Sequence, residues 1–130
     1  GTYPKSPPGM PGVQTLVPVM LNHVHEGRLT LERFVDLTAH GPQCIFNIAG
    51  KGRLAVGYDA DFTLVDLQET RTITDDWVVS KCGWTPFNGM DATGWPKATI
   101  IRGATVMRDD EVQDAPAGVP VRFQETLNAS

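Results

Sequence analysis

A run of seven residues, Ser6 to Gly12, most strongly limits what this sequence can fold into. It holds three prolines and two glycines. Proline lacks a backbone donor and glycine is conformationally permissive, so neither suits the interior of a helix or a central strand. The run therefore predicts a shaped loop. Most Pro/Gly clusters are simple connectors, but loops held by a rigid scaffold are also where binding groups concentrate.

The sequence after this loop has the apolar spacing of short helices. Residues 14–26 carry apolar side chains one, three and four positions apart, which predicts an amphipathic helix with Gly27 just past its end. Thr30 suits the N-cap of a second helix that ends near His40, and Pro42 is expected to open a third. The buried face of the second helix is predicted to consist of Leu31, Phe34, Val35 and Leu37.

After Asn47 the pattern changes to short β-rich runs between turn residues. Four strands are predicted, at residues 62–65, 70–73, 98–101 and 105–107. The first two are expected to pair with each other, and the last two to be joined by a hairpin. Asn88-Gly89 indicates a turn, and Gly94 and Pro96 are expected to end the segment that follows it. The second half is therefore predicted to be a small antiparallel β module.

Composition excludes several classes of protein. A chain of 130 residues with 41% hydrophobic and 20% charged residues is typical of one globular domain. A net charge of -4 without a basic cluster argues against a nucleic-acid surface. No apolar run approaches about 18 residues, so no membrane span is predicted, and no signal peptide is visible. Cys44 and Cys82 are predicted to be reduced thiols of a cytoplasmic protein, with a single disulfide as the alternative.

Three histidines are candidate metal ligands. His23 and His25 have the His-x-His spacing that binds metals on a strand. On a helix, however, residues two apart diverge by about 200°. Surface histidines near a helix C-terminus, where positive charge is favoured, are therefore the preferred interpretation. His40, near the end of the next helix, is interpreted in the same way.

No complete catalytic set is visible elsewhere in the chain. Asp59 and Asp61 could form a catalytic carboxylate pair, but aspartates in such a glycine-bounded stretch more often stabilise turns. Cys82 has no histidine neighbour in sequence, which weakens a nucleophilic role. The nearby aromatic residues are predicted to pack around a long loop: Trp84, Phe87 and Trp95. From the residues alone, no catalytic residue and no metal ligand is assigned.

Four stretches, in order, resemble the dihydroorotases of the amidohydrolase superfamily, in the branch related to the bifunctional and multifunctional forms. Residues 6–15 resemble that family's Pro-Pro-Gly loop and the Gln/Glu-Thr after it. Residues 41–46 are similar to its Asn-Pro-Ala-x-x-Phe helix start, although Gly41 and Gln43 replace the usual Asn and Ala. Residues 51–62 resemble the superfamily's return into a small β domain, and residues 85–89 its Thr-Pro-Phe-x-Gly.

The resemblance implies an α/β fold, namely the C-terminal segment of a TIM-barrel enzyme with strands of a small β-sandwich domain. Residues 1–50 would be the terminal loop and last helices of the barrel. Residues 51–130 would be the small β-sandwich domain with a C-terminal tail. The active groups of such barrels lie on the loops that follow the strands.

The resemblance also implies chemistry. The family uses zinc, one or two ions, to activate water against a cyclic amide. The metal ligands and the catalytic aspartate are expected upstream of Gly1. Only Pro8 and Gly9 carry over as substrate-binding residues, through main-chain contacts to a pyrimidine ring. Glycine lets the main chain come close to a ligand.

The expected function is that of the C-terminal portion of a dihydroorotase, which interconverts dihydroorotate and N-carbamoyl-aspartate in pyrimidine biosynthesis. Its expected partners are the N-terminal remainder of the enzyme, the small pyrimidine substrate and further copies in a homo-oligomer, with no nucleic acid and no membrane. The segment alone is expected to be inactive. The alternatives are a non-catalytic, dihydroorotase-like structural subunit and a hydantoinase or allantoinase.

Overall fold

The computed structural model describes residues 9–113 and 118–124, and these form short helices followed by one antiparallel sheet. The helices are α1 (Leu16–His25), α2 (Leu31–Val35) and α3 (Gly41–Ile45), with one π-helical turn (Asp36–His40) between the last two. The strands are β1 (Phe62–Thr72), β2 (Asp91–Ile101), β3 (Ala104–Arg108) and β4 (Glu111–Val112), and a 3-10 turn covers Asp75–Trp77. The predicted mixture of helices and a small antiparallel sheet is confirmed.

Helix α1 forms where the apolar spacing predicts it. Its first turn begins on the loop, because Leu16 N donates to Gly12 O at 3.0 Å. Pro18 lies buried in that turn, where a missing donor costs little. The chain leaves the helix through Gly27, whose φ of 72° lies in the left-handed region. None of the described helices is long and apolar enough to cross a membrane.

The second helix is capped as predicted, but fewer of its apolar side chains are buried than predicted. Thr30 Oγ1 accepts a hydrogen bond from Arg33 N at 3.1 Å. The helix does not end near His40, because the π-helical turn carries it on into α3. Of the four residues predicted to be buried, Phe34 is buried, whereas Leu31, Val35 and Leu37 are exposed. Among the described elements, α1 packs against α2, and no sheet strand is recorded against it, so most of the predicted face stays exposed.

Strand β1 is one strand, although two paired strands were predicted for this region. Both predicted pieces pair with β2, from Phe62 opposite Ile100 to Thr72 opposite Asp91. The register shifts at residues 66–70, where Asp66 Oδ1 accepts the amide hydrogens of residues 68 and 69 at 2.8 and 3.2 Å. Satisfying those amides locally produces a bulge in place of a hairpin.

Gly94 and Pro96 lie inside β2, contrary to the prediction that they end a segment. Pro96 sits opposite Val65, beside a register shift, where the missing amide hydrogen is tolerated. Gly94 has a φ of +106°, and a Cβ there would stand 2.5 Å from Leu21 Cβ. The absent side chain therefore lets α1 pack directly on β2.

The remaining turns match the sequence signals. Strands β2 and β3 form a hairpin through Arg102 and Gly103, both with positive φ. Asn88-Gly89 forms the predicted turn, in which Gly89 N donates to Ile73 O and Ile73 N donates to Met90 O, both at 2.8 Å. The sheet order is β1-β2-β3-β4.

The core lies where α1 and the Asp75–Trp77 turn meet the sheet. Trp95 is fully buried, and its Nε1 donates to Ala92 O at 2.8 Å. Trp77 packs edge-on against it, with ring centroids 5.0 Å apart. The guanidinium of Arg71 stands 4.3 Å from the Trp95 ring centroid. Trp95 and Phe87 are thus packing residues, as predicted.

We predict that Gly94→Ala destabilises the protein more than Gly57→Ala does. Both residues have positive φ, but nothing lies within 4 Å of the Cβ position at Gly57. Backbone strain alone costs about 1–3 kcal/mol, and displacing Leu21 adds about 1–3 kcal/mol. Urea unfolding of the two variants measures the difference. Equal losses of unfolding free energy would show that close packing of α1 on β2 does not limit stability.

Candidate functional site

The predicted substrate loop opens onto solvent. Of the two residues assigned to it, Pro8 lies outside the described residues. Gly9 is exposed, and, its chain neighbours aside, no atom of the described residues lies within 4 Å of the position that a Cβ would occupy there. Its main chain is therefore accessible to a ligand.

The loop is held by the side chain that follows it. Gln14 Nε2 donates to Trp77 O at 2.8 Å, and Gln14 Oε1 accepts from Val79 N at 2.9 Å. Thr15, which is almost fully buried, donates through Oγ1 to Gly12 O at 3.3 Å. Sequence reasoning missed this arrangement, because Gln14 binds residues more than 60 positions away.

A cavity of about 380 Å³ lies between the loop and the segment after the Asp75–Trp77 turn. Residues 11–15 form one side of it, and residues 78–80 with Thr85 form the other. None of these side chains is acidic, basic or a thiol. The cavity can therefore hold a group by shape and hydrogen bonds, and its hydroxyl groups (Thr15, Ser80 and Thr85) have no ionisable side chain beside them in the lining to act as a general base.

The histidines lie on helical surfaces, as predicted. His23 Nδ1 is a buried atom 3.6 Å from Glu26 Oε2, too long for a hydrogen bond, and none of the described residues offers it a hydrogen-bond partner. His40 Nδ1 lies 3.3 Å from Asp36 Oδ1, and its Nε2 lies 3.4 Å from Cys44 Sγ. Over residues 9–113 and 118–124, no three His, Cys, Asp or Glu side chains are grouped so that they could hold a metal ion.

Asp59 and Asp61 form ion pairs and a long-range hydrogen bond, whereas the sequence favoured bonds from their carboxylates to nearby backbone donors in a turn. Both carboxylates bind Lys51 Nζ, Asp59 at 2.9 Å and Asp61 at 2.5 Å. Asp61 also accepts from Arg102 N at 2.8 Å through its other oxygen. The pair therefore joins the loop before β1 to the β2–β3 hairpin.

The ion pairs shift two pKa values. Hydrogen bonds from Lys51 to Asp61 and then to Asp59 raise the pKa of Lys51. Partial burial opposes ionisation of Asp61, but the hydrogen bonds from Lys51 and from the Arg102 amide outweigh it, so the pKa of Asp61 lies below its ordinary value. Both groups are therefore held in their charged forms.

Comparison with known proteins identifies the family. Residues 12–106 match the family model described as Amidohydrolase family. The chain belongs to the amidohydrolase family. Among solved structures, the L-hydantoinase (dihydropyrimidinase) from Arthrobacter aurescens matches with a TM-score of 0.79 at 38% identity, over 82% of this chain and 24% of that one. A D-hydantoinase matches with a TM-score of 0.76 at 30% identity, over 82% and 23%.

The most similar amidohydrolase sequences include several archaeal dihydroorotases. The dihydroorotase of Methanothermobacter thermautotrophicus is 45% identical over 107 residues, which is 82% of this chain and 25% of that protein. The dihydroorotase of Pyrococcus furiosus is 43% identical over 110 residues, 85% of this chain and 26% of that protein. The chain spans about a quarter of the length of these curated relatives.

We predict that Asp61→Asn lowers the unfolding free energy by about 1–2 kcal/mol near pH 7, because the amide cannot pair with Lys51 as a charge. The folded-state pKa of Asp61 is depressed, so its ionised form stabilises the fold at neutral pH. The difference from wild type should shrink as the pH falls through that depressed value. Denaturant unfolding at several pH values measures it.

The matched control is Asp76→Asn, which removes an exposed carboxylate from the turn at Asp75–Trp77. It should change the unfolding free energy by less than about 0.5 kcal/mol. A loss for Asp61→Asn that stays constant down to strongly acidic pH would contradict an electrostatic role for this carboxylate.

Proposed function

We propose that this chain is part of a dihydroorotase, a cyclic amide hydrolase that interconverts dihydroorotate and N-carbamoyl-aspartate in pyrimidine biosynthesis. The observation that carries the proposal is its 45% identity to an archaeal dihydroorotase over 107 residues. Identities of 43% and 41% to further archaeal dihydroorotases support the same activity. The proposed location is the cytoplasm.

In this proposal the chain supplies one wall of the substrate site. The main chain at Pro8 and Gly9 would contact the pyrimidine ring. The open space around Gly9 supports such an approach, because no side chain of the described residues intervenes. The loop's anchorage through Gln14 would keep that wall in place.

Zinc, one or two ions, would supply activated water when bound to the whole enzyme. The described residues do not fit that group, because no cluster of three ligating side chains occurs among them. We therefore propose that the metal ligands and the proton-shuttling aspartate lie outside this chain. For the same reason the 130 residues alone are proposed to be inactive.

The apolar surfaces of the chain support a place within a larger fold. A groove of about 650 Å³ runs along the sheet and α1, lined by Val17, Ile101, Val106 and Val112 among others. Side chains on the helices and the connection to β1 are also exposed, including Ile45, Phe46, Leu54 and Val56. Because such surfaces are normally covered, we propose that the rest of the enzyme packs on them.

The proposed architecture follows from this packing. Residues 1–50 would be the terminal loop and helices of a TIM barrel, and residues 51–130 a small β-sandwich domain with its tail. The close approach of α1 to β2 at Gly94 would form part of the contact between them. Assembly of the intact enzyme into a homo-oligomer is part of the same proposal.

A hydantoinase is the second candidate, because structures named as hydantoinases match this fold at TM-scores of 0.79 and 0.76. The two activities share the hydrolysis of a cyclic amide and differ in the ring. Sequence identity favours dihydroorotase, at 45% against 38%.

We predict that the intact, zinc-loaded protein hydrolyses dihydroorotate with a kcat/KM at least about 100-fold above that for hydantoin, dihydrouracil or allantoin. A site that pairs with the substrate's carboxylate would leave its polar groups unsatisfied with rings that lack one. Parallel spectrophotometric assays measure the four rates. Preference for hydantoin would favour the hydantoinase alternative, and no turnover of any ring would favour a non-catalytic subunit.

A further inference from the structure

The side chain of Gln14 makes the same pair of hydrogen bonds as a neighbouring β-strand would. Its amide donates to Trp77 O and accepts from Val79 N, at 2.8 and 2.9 Å. The residue between them, Val78, is extended, with φ -76° and ψ 113°. In extended backbone the carbonyl of one residue and the amide of the residue two positions on point to the same side. One primary amide can therefore bind both.

The other side chains of similar size cannot make both bonds. Leucine has neither donor nor acceptor, and asparagine is one methylene shorter. An ionised glutamate accepts from Val79 N but places its second oxygen against the Trp77 carbonyl. The geometry is thus specific for a glutamine amide or a protonated carboxyl group.

The loop before Gln14 has few other supports among the described residues. Val13 is 96% exposed, and the Cβ positions of Gly9 and Gly12 have no neighbour within 4 Å. The bonds that Gly12 O accepts from Leu16 N and Thr15 Oγ1 join the loop to its own helix. Within residues 9–113 and 118–124, the two Gln14 bonds are the hydrogen bonds that join it to the opposite side of the 380 Å³ cavity.

We propose that Gln14 is a positioning residue, which holds the loop of residues 9–13 against the main chain of Trp77 and Val79. The inference rests on the proposed function, in which the loop's main chain contacts the substrate ring. Without the amide the loop samples more conformations, and substrate binding must then order it. The apparent affinity for the substrate falls with the fraction of molecules whose loop is in the binding conformation. The chemical step in the bound complex is unchanged.

The test compares Gln14→Leu with wild type in the intact protein, using whichever cyclic amide the wild type hydrolyses. Loss of two hydrogen bonds should raise KM by about tenfold, with kcat changed by less than about threefold. The Val79 amide should exchange with deuterium faster in the variant. A KM within twofold of wild type would overturn the proposal.

Two further variants separate positioning from general destabilisation. Asn88→Ala removes the bond from Asp75 N to Asn88 Oδ1 on the same segment, without touching Gln14, and should leave KM unchanged. Gln14→Glu should show a KM that rises with pH as the carboxyl ionises and loses its donor. An equal rise in KM for Asn88→Ala, or no pH dependence of KM for Gln14→Glu, would overturn the proposal.

Failure of the proposed function has a different signature. If the wild-type protein hydrolyses none of the cyclic amides, the proposed function is wrong. Deuterium exchange of the Val79 amide then tests the role of Gln14 without any assay of activity. Faster deuterium exchange of the Val79 amide in Gln14→Leu, with the global unfolding free energy preserved, would support the positioning role of Gln14. Unchanged exchange would overturn it.

Discussion

The close contact between α1 and β2 is the interaction on which the rest of the structure depends. Leu21 lies against Gly94, where no Cβ separates helix from strand. Beside it, the buried Asn22 side chain accepts from Thr93 N at 3.0 Å, which satisfies a strand amide that lies under the helix. A helix that packs this closely is fixed in both position and rotation, so the end of the loop that joins it is fixed as well.

The same contact connects the loop to the core. Trp95 lies next to Gly94 on β2, and Trp77 packs on its ring with the centroids 5.0 Å apart. The Gln14 side-chain amide in turn donates to Trp77 O and accepts from Val79 N. The candidate substrate loop is therefore positioned from two directions, through α1 and through the tryptophan pair. The first support is a regular helix, and the second is the end of the Asp75–Trp77 turn, which the tryptophan packing holds against the sheet.

Features that depend on neighbouring residues could be predicted from the sequence. The Thr30 cap, the turn at Asn88-Gly89 and the Arg102-Gly103 hairpin each need only residues within a few positions. The sequence could not predict that β1 is continuous or that Gly94 lies inside β2, because both depend on partners far along the chain. The buried face of α2 was overestimated, since burial depends on what packs against a helix and not on its pattern alone.

The candidate site was predictable only in part, for a related reason. The motif around Gly9 could be located by resemblance, whereas the role of Gln14 required partners 63 and 65 positions away. Local chemistry favours turn roles for the aspartates of the 57–61 stretch, but their carboxylates bind Lys51, and Asp61 also binds the Arg102 amide 41 positions away. The cavity beside the loop is lined, among the described residues, by hydroxyl, amide and apolar groups and by no acidic, basic or thiol side chain.

The most direct test of the central claim is a crystal structure of the intact protein with dihydroorotate, with zinc located by anomalous scattering. We predict that the ring lies against the main chain at Gly9 and that zinc is bound by ligands outside this chain. Zinc bound among His23, His25 and His40, or a ring bound far from the loop, would contradict it.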